Sequence, residues 1–193
     1  MKAKSIVAGS VLVLSLLVTY HAFSQSSAPV DPMDQGSWVA SVGIGPGTHI
    51  FSNGVGFGPG IKLFAENGTF QLGPGVLSLG GEFGLSFFSY KYFENYKASW
   101  VNIMFGARSA YHYGWKVPGL DTYGGLPLGI GFSIYHYTHY YRDLYVPRGY
   151  SAVYPYFGVF VGASYFFNKI IGLNGELGYN VTYANIGVIL KVR

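Results

Sequence analysis

The stretch "IYHYTHY", residues 134–140, holds two of the five histidines in this 193-residue chain, with Thr138 between them and Asp143 shortly after. A hydroxyl, an imidazole and a carboxylate are the parts of nucleophilic acyl chemistry: the base takes the hydroxyl proton and the acid orients the base. On an extended strand His136 and Thr138 share a face, while His139 falls on the other. The two histidines therefore make poor joint metal ligands. There is no cysteine, and no cluster of acids completes a zinc set around them. His49 and His112 stand alone in the sequence and His21 lies in the first 24 residues, so neither a metal nor a cofactor is expected. The plainer reading of His136 and His139 is that of aromatic side chains near an interface. "GIGPG" and "GFGPG" look like phosphate loops but lack the Gly-Lys-Ser/Thr ending and a following helix. They read as strand ends.

The elements that would carry such groups are strands. The last stretch, "TYANIGVILKVR", alternates with period two. Ala184, Ile186, Val188, Leu190 and Val192 share one face; Asn185, Gly187, Ile189, Lys191 and Arg193 share the other. The same pattern recurs near 37–45, 59–66, 75–90, 98–113, 121–137, 151–167 and 171–179, with Gly, Pro and Asn between the runs. That makes eight strands and no helix. One face is aliphatic throughout, as in Trp38, Val42, Ile44, Leu63, Leu79, Phe105, Leu128 and Val161. The other is small or polar, and it carries Lys62, Glu66, Glu82, Arg108, Glu176 and Lys191. Pro127 and Pro155 interrupt two runs, where a missing N–H is tolerated only at edges or bulges.

The first residues contain Lys2 and Lys4, an apolar run from Ile6 to Val18, and Ala22-Phe23-Ser24 as a small-x-small site. Residues 1–24 are read as a secretory signal peptide. Residues 25–35 make a short polar lead-in, and 36–193 the barrel. Without Lys2 and Lys4 there remain 12 − 2 = 10 basic residues against 8 acidic. A net charge of +2 does not call for nucleic acid. Charged residues are 10% of the chain, against about 25–35% on an ordinary soluble surface. If the aliphatic face were inside, the outside would be mostly Gly and Ser, a poor solvated surface. With the aliphatic face outward, lipid meets the aliphatics and the charges neutralise one another inside. The expected fold is a closed eight-stranded antiparallel up-and-down transmembrane β-barrel. Lys62, Glu66, Glu82, Arg108, Glu176 and Lys191 are the expected members of a structural ion-pair network in its lumen. The aromatic clusters Tyr90–Trp100 and Tyr135–Tyr150 are expected to form interfacial girdles.

The alternating strands, the Gly-rich inner face and segments such as "SAYHYG", "DTYGGLPLGIGF" and "YPYFGVFVGASYFF" resemble the small outer-membrane barrels of Gram-negative bacteria, the OmpA/OmpX-like and porin-like superfamily. The resemblance covers roughly residues 36–193. Many members end in an aromatic residue; this chain ends in Val192-Arg193. The resemblance implies an exported, monomeric outer-membrane protein whose partners are membrane lipid, lipopolysaccharide and the barrel-insertion machinery. It places both termini in the periplasm, with turns near 67–74, 114–120 and 168–170. The loops near 46–58, 91–97, 138–150 and 180–182 would then be extracellular, with Tyr140, Tyr141, Arg142, Tyr145 and Arg148 as candidate contacts. A non-enzymatic role in envelope integrity, adhesion or ligand binding is expected. The alternatives are a lipid-modifying barrel enzyme, with His136 as its base, and a secreted lipocalin-like barrel with an apolar interior.

Overall fold

The period-two pattern becomes nine β segments in the computed structural model, which describes residues 33–47, 58–93, 96–141 and 144–192. They are β1 (Trp38–Pro46), β2 (Pro59–Leu72), β3 (Gly75–Phe93), β4 (Tyr96–Gly114), β5 (Leu120–Tyr141), β6 (Leu144–Phe157), β7 (Val159–Phe166), β8 (Ile171–Tyr179) and β9 (Ala184–Val192). Every pairing is antiparallel, each of β1 to β5 pairs with the next, and β9 returns to β1. The lower half of β5, Leu120 to Gly125, pairs with β7, and the upper half, Leu128 to Tyr141, pairs with β6. β6 and β7 are thus two halves of one barrel strand broken at Gly158, and the circuit is a closed eight-stranded barrel.

Both awkward prolines sit where a missing donor costs least. Pro127 lies between the two pairings of β5, and its carbonyl accepts from Gly158 N at 3.3 Å across the break. Pro155 is in β6, whose ladder runs along β5 alone among the described residues.

At the base of the barrel the connections are short. Leu72 pairs with Gly75 around a two-residue turn in which Gly73 has φ +57, matching the strand twist that favours primed hairpin turns. Asn168 Oδ1 accepts from Ile170 N and Ile171 N, both at 2.8 Å, and so folds the β7–β8 turn. The end of the expected lead-in also belongs to this base. Gly36 N donates to Gly68 O at 2.7 Å, and Met33 and Ser37 are buried.

At the opposite end, the mouth, the strands run further than the sequence pattern indicated. β3 reaches Phe93 and β4 starts at Tyr96; Tyr140 pairs with Tyr145 and Tyr141 with Leu144. The expected loops 91–97 and 138–150 are therefore mostly strand, because paired ladders of β-favouring Tyr and Val continue past the closed section. Tyr140, Tyr141, Tyr145 and Arg148 belong to β5 and β6. The signal peptide, lead-in residues 25–32, His49, Arg142, Asp143 and Arg193 lie outside the described residues.

The aliphatic set faces outward along every strand. Leu128, at mid-height, is 67% exposed, whereas Arg108 on the inner face is 1% exposed. A lipocalin-like barrel with an apolar interior does not describe this molecule. Interior room is made by glycine beside the charged residues. Gly80 lies opposite both Glu66 and Arg108, Gly106 opposite Glu82, Gly43 and Gly84 opposite Lys62, and Gly162 opposite Glu176. A Cβ at Gly80 would lie 2.0 Å from Ala65 O and 2.5 Å from Glu66 Cα, both rigid backbone of β2.

The alternation makes a sharp prediction. Gly80→Ala is expected to destabilise the barrel by about 1–3 kcal/mol through overpacking. Gly81→Ala, one residue on and facing outward, would meet nothing closer than Gly106 O at 3.5 Å and should be neutral. Unfolding temperatures of the two variants, read by the gel shift of folded against boiled protein, check this.

Candidate functional site

Four strands bring one guanidinium to the centre of the lumen. Arg108 of β4 places Nε 3.1 Å from Glu66 Oε2 of β2, Nη1 3.3 Å from Glu82 Oε2 of β3, and Nη2 2.9 Å from Glu176 Oε2 of β8. Its plane lies between two rings, with Cζ 4.0 Å from the Phe64 centroid and 3.8 Å from that of Phe160. The planar, weakly hydrated fork of Arg suits a site that is both stacked and multiply hydrogen-bonded. Lys62 of β2 pairs with Glu176 and lies 3.3 Å from Glu82 Oε2. Neutral donors add to these pairs. Tyr156 donates to Glu82, Asn180 Nδ2 to Glu176 Oε1 at 3.1 Å, and Ser78 Oγ to Glu66 Oε2 at 3.0 Å.

The structure brings Lys62, Glu66, Glu82, Arg108 and Glu176 together. Lys191 lies nearer the base, where its Nζ is 3.3 Å from Asp34 Oδ2 of the lead-in.

His112, which looked isolated in the sequence, joins the cluster. Its Nε2 is 3.3 Å from Glu66 Oε1 and its Nδ1 is 2.7 Å from Asp121 Oδ2. Sequence reasoning missed Asp121, Tyr123 and Asn180 as members of this interior. The period-two alternation was the available signal, since Asp121 and Tyr123 share the parity of Gly125 on the inner face of β5.

Ser78, His112 and Asp121 have the order of a hydrolytic triad, with Ser78 Oγ 3.2 Å from His112 Nε2. Three features separate them from a working one. All three residues are buried to 2% exposure or less, so no substrate carbonyl reaches Oγ. The single hydroxyl proton is directed to Glu66 Oε2 at 3.0 Å or Ala110 O at 3.1 Å. Nε2 itself faces a carboxylate, where a ring nitrogen acts as donor and not as base. His136 of the alternative acyl chemistry pairs by backbone with Ser99 of β4 and is exposed.

Above the ion pairs, Tyr156, Met104 and Val181 form a buried apolar cluster. Higher still come Ser86, Asn102 and Ser133, then Phe88, Trp100, Tyr135 and Tyr150, each row paired across β3, β4, β5 and β6 except that Ala152 completes the former. Trp100, Tyr135 and Tyr150 hold the register that faces the lumen lower on the same strands, so they are not part of a lipid-facing girdle. Other aromatic residues gather at the base, where Trp38, Tyr111, Tyr113 and Tyr165 hold outward register and Trp115 and Phe167 follow just past the strand ends; Tyr113 and Trp115 meet edge-on at 5.0 Å.

Among solved structures, the chain is similar to Ail, the attachment invasion locus protein of Yersinia pestis, seen alone and in complex with the heparin analogue sucrose octasulfate. Identity is 10% over 82% of this chain and 96% of that one, with a TM-score of 0.44. It is also similar to Neisserial surface protein A, at 16% identity over 82% and 97% of the two chains, with a TM-score of 0.42. No family model and no curated protein matches it.

Removing Arg108 would leave Glu82 and Glu176 to Lys62 and Glu66 to His112. Breaking a buried pair typically costs about 3–5 kcal/mol, so Arg108→Ala is expected to lower the unfolding temperature sharply. Lys116→Ala, in the exposed β4–β5 turn, should leave it unchanged. Thermal unfolding of the refolded barrels compares them directly.

Proposed function

We propose that this protein is a non-enzymatic integral outer-membrane barrel, exported by a cleaved signal peptide and monomeric in the bilayer. In this reading its lumen is a structural plug and its mouth faces the outside of the cell. The observation that carries the reading is the inversion of faces. The continuous aliphatic face of each of the eight strands points out of the barrel, while Lys62, Glu66, Glu82, Arg108 and Glu176 point in. Water would leave that outer surface unsolvated, whereas lipid hydrocarbon matches it. The aromatic girdle at the base supports the same reading, because Trp and Tyr favour the headgroup level.

The filled lumen argues against a general diffusion pore, as expected of eight strands. Buried Ser78 and a His112 held between carboxylates argue against lumen catalysis. What remains for function is the mouth, formed by the long β3–β6 strands. It would serve adhesion, envelope integrity or ligand binding beside lipopolysaccharide. The termini and short turns then lie in the periplasm, where the insertion machinery first meets the chain.

The reading is tested by fractionating expressing cells and running the outer-membrane fraction on a gel with and without boiling. Membrane residence with a heat-dependent shift is the expected result; soluble periplasmic protein would overturn it. Leu128→Arg sharpens the test. An arginine on the lipid face near the midplane costs about 2–4 kcal/mol, so the folded outer-membrane band should fall. A soluble barrel would tolerate the change.

A further inference from the structure

The barrel closes where the first strand meets the last. Along that seam β1 and β9 are partners from Trp38–Val192 to Ile44–Ile186. Neighbours such as β2 and β3 are joined by a short turn, so a parted ladder is held close and re-forms. β1 and β9 are joined only through the rest of the chain, so parting them releases the most loop-closure entropy. The ion pairs of Arg108 and Lys62 run between β2, β3, β4 and β8, and none of those pairs includes a residue of β1 or β9. Gly43 and Gly187 are partners across the seam, so that level brings no side-chain pair of its own.

Two side-chain contacts stitch this seam from within. Ser41 Oγ of β1 donates to Asn174 Oδ1 of β8 at 2.7 Å, joining the two strands that flank β9. At the base, Lys191 Nζ of β9 lies 3.3 Å from Asp34 Oδ2 in the segment that precedes β1. The Asp34 end is fixed by its own turn. Ser37 N and Ser37 Oγ donate to Asp34 O at 3.1 and 2.7 Å, and Gly36 takes φ +86, a left-handed value that suits glycine. The turn is bonded to β2. Gly36 N donates to Gly68 O at 2.7 Å, Gly68 N to Ser37 O at 2.9 Å and Gln35 Nε2 to Thr69 O at 3.1 Å. These groups sit at the bulge of β2 between Gly68 and Phe70, and a Cβ at Gly68 would lie 2.2 Å from Asp34 O.

We propose that the Asp34–Ser37 turn is a clasp on the seam: anchored on β2, it reaches past β1 to hold Lys191 of β9, and it sets how fast the first and last strands part. The position of the pair fits that task. The Lys191 side chain is 4% exposed and that of Asp34 37%, so the contact is partly shielded from water yet stands at the rim, apart from the Arg108 cluster. An open seam presents two strand edges with unmet N–H and C=O groups. A contact that delays the first parting therefore slows the unfolding of the whole closed sheet. The segment before β1 is then a working part of the barrel.

The chain has no cysteine, so disulfides can be placed one at a time. Val42 and Val188 are outward-facing partners across the seam, and Leu85 and Ile103 are outward-facing partners between β3 and β4. The full chain, refolded in detergent, is unfolded in urea, and the folded fraction is followed in time by its gel shift. Asp34→Ala keeps the backbone bonds of the turn and removes the carboxylate. It is expected to unfold about three- to tenfold faster, between the effects of exposed and buried ion pairs. With Val42→Cys and Val188→Cys oxidised to a bridge across the seam, Asp34→Ala should lose its effect. With Leu85→Cys and Ile103→Cys bridged instead, the effect should remain. An unchanged unfolding rate for Asp34→Ala would overturn the proposal. So would an acceleration that persists in full with the seam bridged, because the pair would then steady the base without holding the seam.

Discussion

Everything inside this barrel is arranged around one buried guanidinium. A charge taken out of water must recover several kcal/mol from its surroundings. Arg108 does so by reaching carboxylates on β2, β3 and β8 and by lying between Phe64 and Phe160. The contacts to β2 and β8 join strands that are not neighbours of β4 in the sheet, so the network braces the barrel across its interior, where backbone hydrogen bonds cannot. The wall and the strut are complementary: the ladders fix each strand to the next, and Arg108 fixes opposite sides to each other.

The same demand explains the glycines. A narrow barrel cannot hold long charged side chains and ordinary neighbours on both sides at one level, so each of Lys62, Glu66, Glu82, Arg108 and Glu176 has a glycine as at least one of its two cross-strand partners. Charge and glycine are two parts of one packing solution. The outer face has the opposite composition. The outward positions carry aliphatics, with aromatics at the base and no charge at mid-height. Small residues at Ala40, Ala65, Gly81 and Ala107 are tolerated there because no opposite wall faces them.

Vertical order matters as much as the inside–outside division. From base to mouth the lumen passes from the Lys191–Asp34 pair to the ion-pair cluster. It continues through the Tyr156, Met104 and Val181 plug to a polar row and then an aromatic row. The layers below the mouth consist of buried side chains. Long β3–β6 strands lift the aromatic row clear of the closed section.

Much of this was legible in residue order, because a strand's side chains alternate whatever it pairs with. The eight-strand count, the inward set Lys62, Glu66, Glu82, Arg108 and Glu176, and the outward aliphatic set all follow from period two. The direction of that alternation followed from composition, since too few charges were available for a solvated outside. Sequence spacing could not reveal that His112 meets Asp121 and Glu66, because those contacts depend on strand register and on barrel curvature. It could not place Lys191 beside Asp34, which requires the lead-in to fold back under the base. Nor could it tell a lipid-facing girdle from an inward ladder at Trp100, Tyr135 and Tyr150. Tyrosine favours strands on either face, and only the unbroken register from Arg108 up to Trp100 decides which side those rings occupy. Period and composition determine the faces of each strand, while register, shared among strands far apart in the chain, determines which side chains meet.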